Sequence, residues 1–265
     1  MRSLISFFRK EPKVAVIRLQ GTIAAGARGG LNDAGLAPLI EKAFSRGKPA
    51  AVALVINSPG GSPVQSSLIA ARIRRLAAEK KIPVHAFVED VAASGGYWLA
   101  CAGDDIFVDE SSIVGSIGVI FASFGFNELM ARHGIERRVH TAGRSKSLAD
   151  PFLPEKPEDV ERLKALQDPI HRAFIEHVKS RRGAKLDAST DLFNADIWVG
   201  SGAVAVGLAD GVAHMVPKLK QLYGDKVRLI PYGQRRSVLQ RLGAQVTGAA
   251  LAEVEDRAAW ARFGL

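Results

Sequence analysis

The chain carries a single cysteine, Cys101, among its 265 residues. An internal disulfide and a multi-cysteine metal site are therefore both excluded. Aromatic residues are scarce, at 7%. None is interleaved with the basic clusters, so the stacking platform that RNA recognition needs is missing. Long apolar runs are missing too. The stretch Leu4 to Phe8 is broken by Ser6, whereas a signal-peptide core takes roughly 7–15 apolar residues and a membrane span about 20. The expectation is a chain with no signal peptide and no transmembrane helix, cytoplasmic or peripheral at a membrane surface. There is no Walker-type phosphate loop and no paired carboxylate motif. None of the six histidines stands in a catalytic or metal-ligating context, and His171 and His177 are too far apart to share one helix face. No cofactor, no metal and no nucleic-acid partner is expected.

What is present suffices for a full core: 47% hydrophobic residues against 24% charged. The net charge of +9 is spread along the chain, in Arg72/Arg74/Arg75, Arg137/Arg138 and Arg235/Arg236 among others. Such spacing reads as solvated helix faces. Near the start, Arg2, Arg9 and Lys10 flank Leu4, Ile5, Phe7 and Phe8. That pattern suits a short segment lying on an anionic bilayer, so peripheral membrane contact is one expectation for residues 1–12.

Strand and helix patterns alternate from Val14 to about Gly211. Val14–Leu19, Ala51–Ile56, Pro83–Val88 and Ile106–Val108 read as strands, the second so continuously apolar that both its faces must be covered. Asn32 caps a helix ended by Gly47, and Val64–Lys80 is a helix with Leu68, Ile69, Ile73 and Leu76 as its stripe. Ala92–Gly96 reads as a tight turn opening a short helix, and Gly115–Ile120 as a glycine-punctuated strand. Phe126–His133 and Pro157–Arg181 read as helices, Arg137–His140 as extended, and Arg182–Asn194 as a mobile loop. Asp196–Gly211 reads as strand, turn and helix. The fold class expected is α/β with a parallel sheet. Residues 13–215 form its main domain and 216–265 a C-terminal strand and helix extension, with Val238, Leu239, Leu242 and Val246 in a packing helix.

The chemistry points to two glycine-rich turns directly after buried strands: Gly60-Gly61 and Ser94-Gly95-Gly96. Glycine leaves backbone N–H groups unshielded, and two such turns on adjacent parallel strands can aim donors at one point, as an oxyanion hole requires. Ser94 would stand at a helix start with its hydroxyl beside those donors, a nucleophile's position. Set against this, a lone Ser before two Gly is ordinarily a turn or cap residue. Ala92 in place of a first glycine excludes the α/β-hydrolase elbow. With no histidine in place, the remaining type of base is a lysine held neutral by its surroundings.

Five ordered segments carry a resemblance: Val16–Gly21, Asn57–Gly61, Ala93–Tyr97, Gly115–Val119, and Ile197–Gly200 leading to Gly207–Gly211. Together they resemble the signal peptide peptidase A (SppA) family of serine peptidases, which has the ClpP/crotonase fold, a spiral of parallel strands and helices. The resemblance implies a Ser–Lys dyad with Ser94 as nucleophile. Lys146, within Gly143-Arg144-Ser145-Lys146 before Asp150-Pro151, is implied as general base. Ser147 stands where the family commonly has Asp, and Arg144 stays protonated and cannot replace the lysine. Ser116 matches a hydroxyl that orients the lysine, and Gly61 and Gly95 match the oxyanion donors. A peptide substrate would pair as an added strand along Gly60, Ser62, Ile117, Gly118 and Val119. In the family the serine and lysine of one site come from neighbouring protomers or repeated halves, which implies a homo-oligomer here. Two other readings share the fold: a catalytically silent scaffold binding peptides or a membrane, and a crotonase-type acyl-CoA enzyme.

Overall fold

The computed structural model describes residues 11–26, 30–143, 146–233 and 257–265. Most of the expected N-terminal segment and the helix expected around Val238–Val246 lie outside the described residues. The chain divides into two compact units, one of Met1–Ile117 with Glu176–Leu265 and one of Gly118–Ile175.

The larger unit is built on β1 (Lys13–Gln20), β2 (Ala51–Ser58), β3 (Val84–Ala93), β4 (Asp105–Val108), β5 (Ile113–Gly115), β6 (Ile197–Val199), β7 (Gly211–Val212) and β8 (Arg228–Tyr232). The main path runs β6-β5-β3-β2-β1-β8, with β4 joining β3 to β7. Its pairs are parallel except β5 with β6. Every residue of β2 is buried, as its unbroken apolar run requires. Val14, Val16, Ala53, Val55, Phe87 and Phe107 pack with Leu219 of the helix α7 (Met215–Tyr223) on one face. The residues between them, such as Ile17, Leu19, Leu54 and Ile56, are equally buried. They serve the face where α1 (Asp33–Ser45), α2 (Pro63–Lys80) and α3 (Gly95–Ala100) pack. Asn32 caps α1 as read, its Oδ1 accepting the Gly35 N–H at 2.8 Å. The region after 216, read as an extension, supplies β8, which pairs with β1 from Lys13 to Ile17.

The smaller unit holds α4 (Asn127–Arg132) and most of α5 (Pro157–Arg182). In the larger unit β6 leads directly into α6 (Gly200–Ala205), after which the chain turns at Gly207 with φ +79°.

Several details differ from the sequence reading. Leu68 is 45% exposed, so the stripe of α2 runs instead through Ser66, Ile69, Ala70, Ile73, Leu76 and Ala77. β3 continues five residues past Val88, because Val91–Ala93 pair in parallel with Ile113–Gly115 of β5, while Asp90 accepts from Asn57 of β2. β5 stops at Gly115, where positive φ at Gly115 and Ser116 turns the chain out of the ladder. Residues 137–140 form no strand among the described residues. Residues 182–194 are not a free loop: Arg182 and Leu192 are buried, and Arg182 is bonded to Gly207 and Asp210.

Candidate functional site

The parallel pair β2 and β3 ends at Ser58 and Ala93, with a register irregularity between Ile56 and Ser58. The two glycine turns therefore start immediately where the strands stop, side by side. Ser94 holds φ 52° and ψ −122°, a conformation that a residue with a Cβ rarely adopts. Three hydrogen bonds fix it there. Its N–H donates to the Gly115 carbonyl at 2.9 Å, and its carbonyl accepts from Tyr97 and Trp98 at 2.9 and 3.0 Å. Among the described residues the Ser94 hydroxyl makes no capping bond to α3, so it is not spent as a helix cap. All six residues of α3 are buried, which anchors the half-buried serine at its N-terminus.

The turns touch each other. A Cβ on Gly60 would stand 2.8 Å from the Ser94 Cβ and 2.9 Å from the Gly95 nitrogen. A Cβ on Gly95 would stand 2.5 Å from the Ser66 Oγ and 3.3 Å from the Gly61 nitrogen, while one on Gly61 would run into the Ile23 carbonyl. Glycine is thus demanded by close approach as well as by φ of +107° at Gly60 and +137° at Gly61. As the first helical residue, Gly95 has no acceptor within α3, and among the described residues no backbone carbonyl takes the N–H of Gly61 or of Gly95. Two amides next to Ser94 are left with free donor capacity, which suits a developing oxyanion.

Ser116 follows directly on the Gly115 carbonyl that holds Ser94. It is buried, has φ 52°, and donates its N–H to the Asp196 carbonyl at 2.7 Å. The structure thus brings Gly60, Gly61, Ser94, Gly95 and Ser116 together at the C-terminal ends of β2, β3 and β5. Ser62 caps α2, its Oγ accepting from the Gln65 N–H at 3.4 Å, and Ile117 is fully buried. Gly118, Val119 and Lys146 belong to the smaller unit. Gly118 is half-buried and Lys146 is exposed, in a turn where its N–H meets the Gly143 carbonyl at 3.3 Å. Nearby Asp150 is held below the ordinary carboxylate range by the Phe152 N–H and the Arg137 guanidinium.

Three neighbours of the turns carried no signal in the sequence reading as site residues: Ile23, Ser66 and Asp90. Ile23 bridges to Gly61, and Ser66 reads as one more polar residue in α2. Asn57 donates to Asp90 and accepts from the Val91 N–H at 3.3 Å, tying β2 to β3 just below the turns. The histidines are used elsewhere. His85 lies between Asp105 and Tyr223, and His177 stacks on Trp98 at 4.9 Å, where burial pushes its pKa down. Cys101 is no rival nucleophile, because burial pushes its thiol up to about 12. Among the described residues no group of His, Cys, Asp and Glu could hold a metal.

A largely parallel sheet with helices packed on it, with a serine before two glycines at the end of one strand, defines a ClpP-like α/β protein. The fold overlays that of a membrane-bound stomatin-specific protease variant solved with a substrate peptide, at a TM-score of 0.52 and 15% identity, covering 88% of this chain and 96% of that one. The model of Peptidase family S49 matches residues 77–223, more than half of the chain, and the chain belongs to that family. It is 30% identical over 255 residues to the chloroplastic serine protease SPPA of Arabidopsis thaliana, covering 89% of this chain and 37% of that protein. It is also 49% identical over 274 residues to a Brucella melitensis protein named Na(+)/H(+) antiporter NhaA, covering 96% of this chain and 37% of that one. The chain therefore spans well under half the length of these two relatives. No helix among the described residues is long and apolar enough to cross a membrane.

Proposed function

We propose that this chain is a serine endopeptidase working through a Ser94–Lys146 dyad on small or unfolded peptides, signal-peptide remnants among them. The observation that carries the reading is Ser94 itself: a serine kept in a strained backbone conformation, its hydroxyl uncommitted to the helix, beside two amides with open donor capacity. Strain of this kind costs about 1–3 kcal/mol and persists where the surroundings enforce it.

In the proposed reaction, uncharged Lys146 takes the Ser94 proton as the Oγ attacks a peptide carbonyl. The N–H groups of Gly61 and Gly95 hold the resulting oxyanion, and Ser116 orients the lysine. The protonated lysine then gives its proton to the leaving amine, and water, deprotonated by the same lysine, releases the acyl group. Substrate backbone adds alongside Gly60–Ser62 and Ile117–Val119. The serine and lysine of one working site are proposed to come from neighbouring copies in a homo-oligomer, with a peripheral membrane contact through residues 1–12.

A fluorophosphonate probe tests the dyad. The expected result is a single label on Ser94, absent in Ser94→Ala and slowed by at least about a thousandfold in Lys146→Ala. A correctly assembled protein that takes no label would favour the silent scaffold instead, and label on another serine would remove Ser94 from the mechanism.

A further inference from the structure

Ser66 lies on the second turn of α2 and is fully buried. A serine inside a helix ordinarily either faces solvent or bonds back to the carbonyl four residues earlier. Ser66 does the latter: its Oγ donates to the Ser62 carbonyl at 2.9 Å. That leaves the oxygen's lone pairs free, and the hydroxyl stands against Gly95. The position a Gly95 Cβ would take lies 2.5 Å from the Ser66 Oγ, so only the small Cα hydrogen fits between them.

The same hydroxyl closes a chain of bonds that reaches the other turn. The Ser62 N–H donates to the Ile23 carbonyl at 2.7 Å, and the Ile23 N–H donates to the Gly60 carbonyl at 2.8 Å. Ile23 forms a bridge with Gly61, and its Cδ1 lies 3.1 Å from the Gly95 Cβ position. Gly61 is therefore held by Ile23, Gly95 packs against Ser66, and the two supports meet at Ser62. An apolar side chain at position 66 would fill space but could not fix both ends.

We propose that Ser66 is a positioning residue that sets the spacing between the Gly61 and Gly95 amides. The proposal rests on the reading of those amides as the oxyanion donors. Such donors stabilise charge only when they are aimed at where it develops, and loss of a whole donor costs about 100- to 1000-fold in kcat. Loosening the pair without removing either donor costs less.

The test uses the full-length chain carrying Ser66→Ala, with Ser66→Cys as the conservative variant. Alanine is the best helix former, so α2 tolerates it. A fluorogenic peptide supplies kcat and KM, with kcat counted per site titrated by fluorophosphonate. A peptide boronate supplies affinity for a tetrahedral adduct. The expected result for Ser66→Ala is a kcat lower by roughly ten- to a hundredfold and boronate affinity lower in the same proportion, with KM within about twofold. Ser66→Cys, which keeps a weak donor, is expected to fall between. A purely structural role would lower the melting temperature while leaving kcat per titrated site and boronate affinity unchanged, and that result overturns the proposal. If unaltered protein carries label on Ser94 but neither Ser66 variant moves these two quantities, Ser66 fails alone. If unaltered protein takes no label and does not cleave, the underlying reading fails with it.

Discussion

Ser94 and Ser116 share φ 52°, and both stand where one strand must turn at once out of the sheet. A left-handed residue with a Cβ is costly, so each is held by backbone bonds: Ser94 through its N–H to Gly115 and its carbonyl to Tyr97 and Trp98, Ser116 through its N–H to Asp196. The neighbouring glycines face a harder constraint, since a side chain there meets backbone that cannot swing away. Gly61→Ala puts a methyl into the Ile23 carbonyl at φ +137°. It is expected to lose at least about 2–3 kcal/mol of stability and most labelling of Ser94. Gly134→Ala is the matched control: φ is +64° and nothing lies within 4 Å, so the cost is about 1 kcal/mol with labelling intact. Urea denaturation and probe labelling of the two variants separate close approach from backbone strain. Equal losses in both would mean that the packing of the turns does not matter.

The elements that frame the serine are tied behind it. Tyr97 in α3 donates its hydroxyl to the Leu208 carbonyl at 2.8 Å, two residues before Asp210. Asp210 accepts from Arg182 and Lys185 at 2.6 Å each and from the Ile106 N–H at 2.8 Å. Burial alone would raise its pKa, but the bonds from Arg182, Lys185 and Ile106 bring it below the ordinary carboxylate value. A carboxylate depressed on folding stabilises the native state above its unfolded pKa, about 4, and loses that contribution as pH falls through the lower native value. Asp210→Asn leaves Arg182 buried without its counter-charge and is expected to cost about 3–5 kcal/mol at pH 7. It should also flatten the fall in stability below pH 4, as read from denaturation midpoints across that range. An unchanged acid slope would mean that Asp210 is not the titrating group.

How much of this was legible follows from which forces are local. β1, β2 and α1 were readable because a continuous apolar run, a cap at Asn32 and a stop at Gly47 each act within a few residues. The extension of β3 was not, because its ladder partners in β5 lie 22 positions on and Asn57, which donates to Asp90, lies 33 positions back. The same holds for Arg182, whose burial depends on a carboxylate 28 residues on. At the site, the two glycine turns were readable from residue type and from their place after buried strands, whereas Ser94, ordinarily a turn or cap residue in such a setting, took its role from the rest of the pattern and the resemblance. Ser66 and Ile23 were not readable, since each looks like an ordinary helix or loop residue until the turns are packed. Lys146 was reachable only through the family resemblance, because nothing in its own neighbourhood marks it as a base.

At the scale of the molecule, the smaller unit poses the remaining physical question. Among its described residues before Phe174 none is buried. Ile120, Phe124, Leu129 and Ile135 are each more than half exposed, at 66, 67, 53 and 58%. Exposed apolar side chains of this size are what a contact between copies would cover, in line with the proposed assembly of identical copies. If the dyad is completed between copies, Ser94→Ala and Lys146→Ala each lack one half of every site, yet a mixed ring contains sites formed from an intact serine on one copy and an intact lysine on its neighbour. Each variant alone is then expected to cleave a fluorogenic peptide at background rate, whereas co-assembled mixtures recover up to about a quarter of full activity, the fraction expected when halves combine at random. Recovery should rise with time of subunit exchange and vanish on dilution below the assembly range. Mixtures that stay silent while exchange is proven by size and label would place serine and lysine on the same copy and remove the shared site.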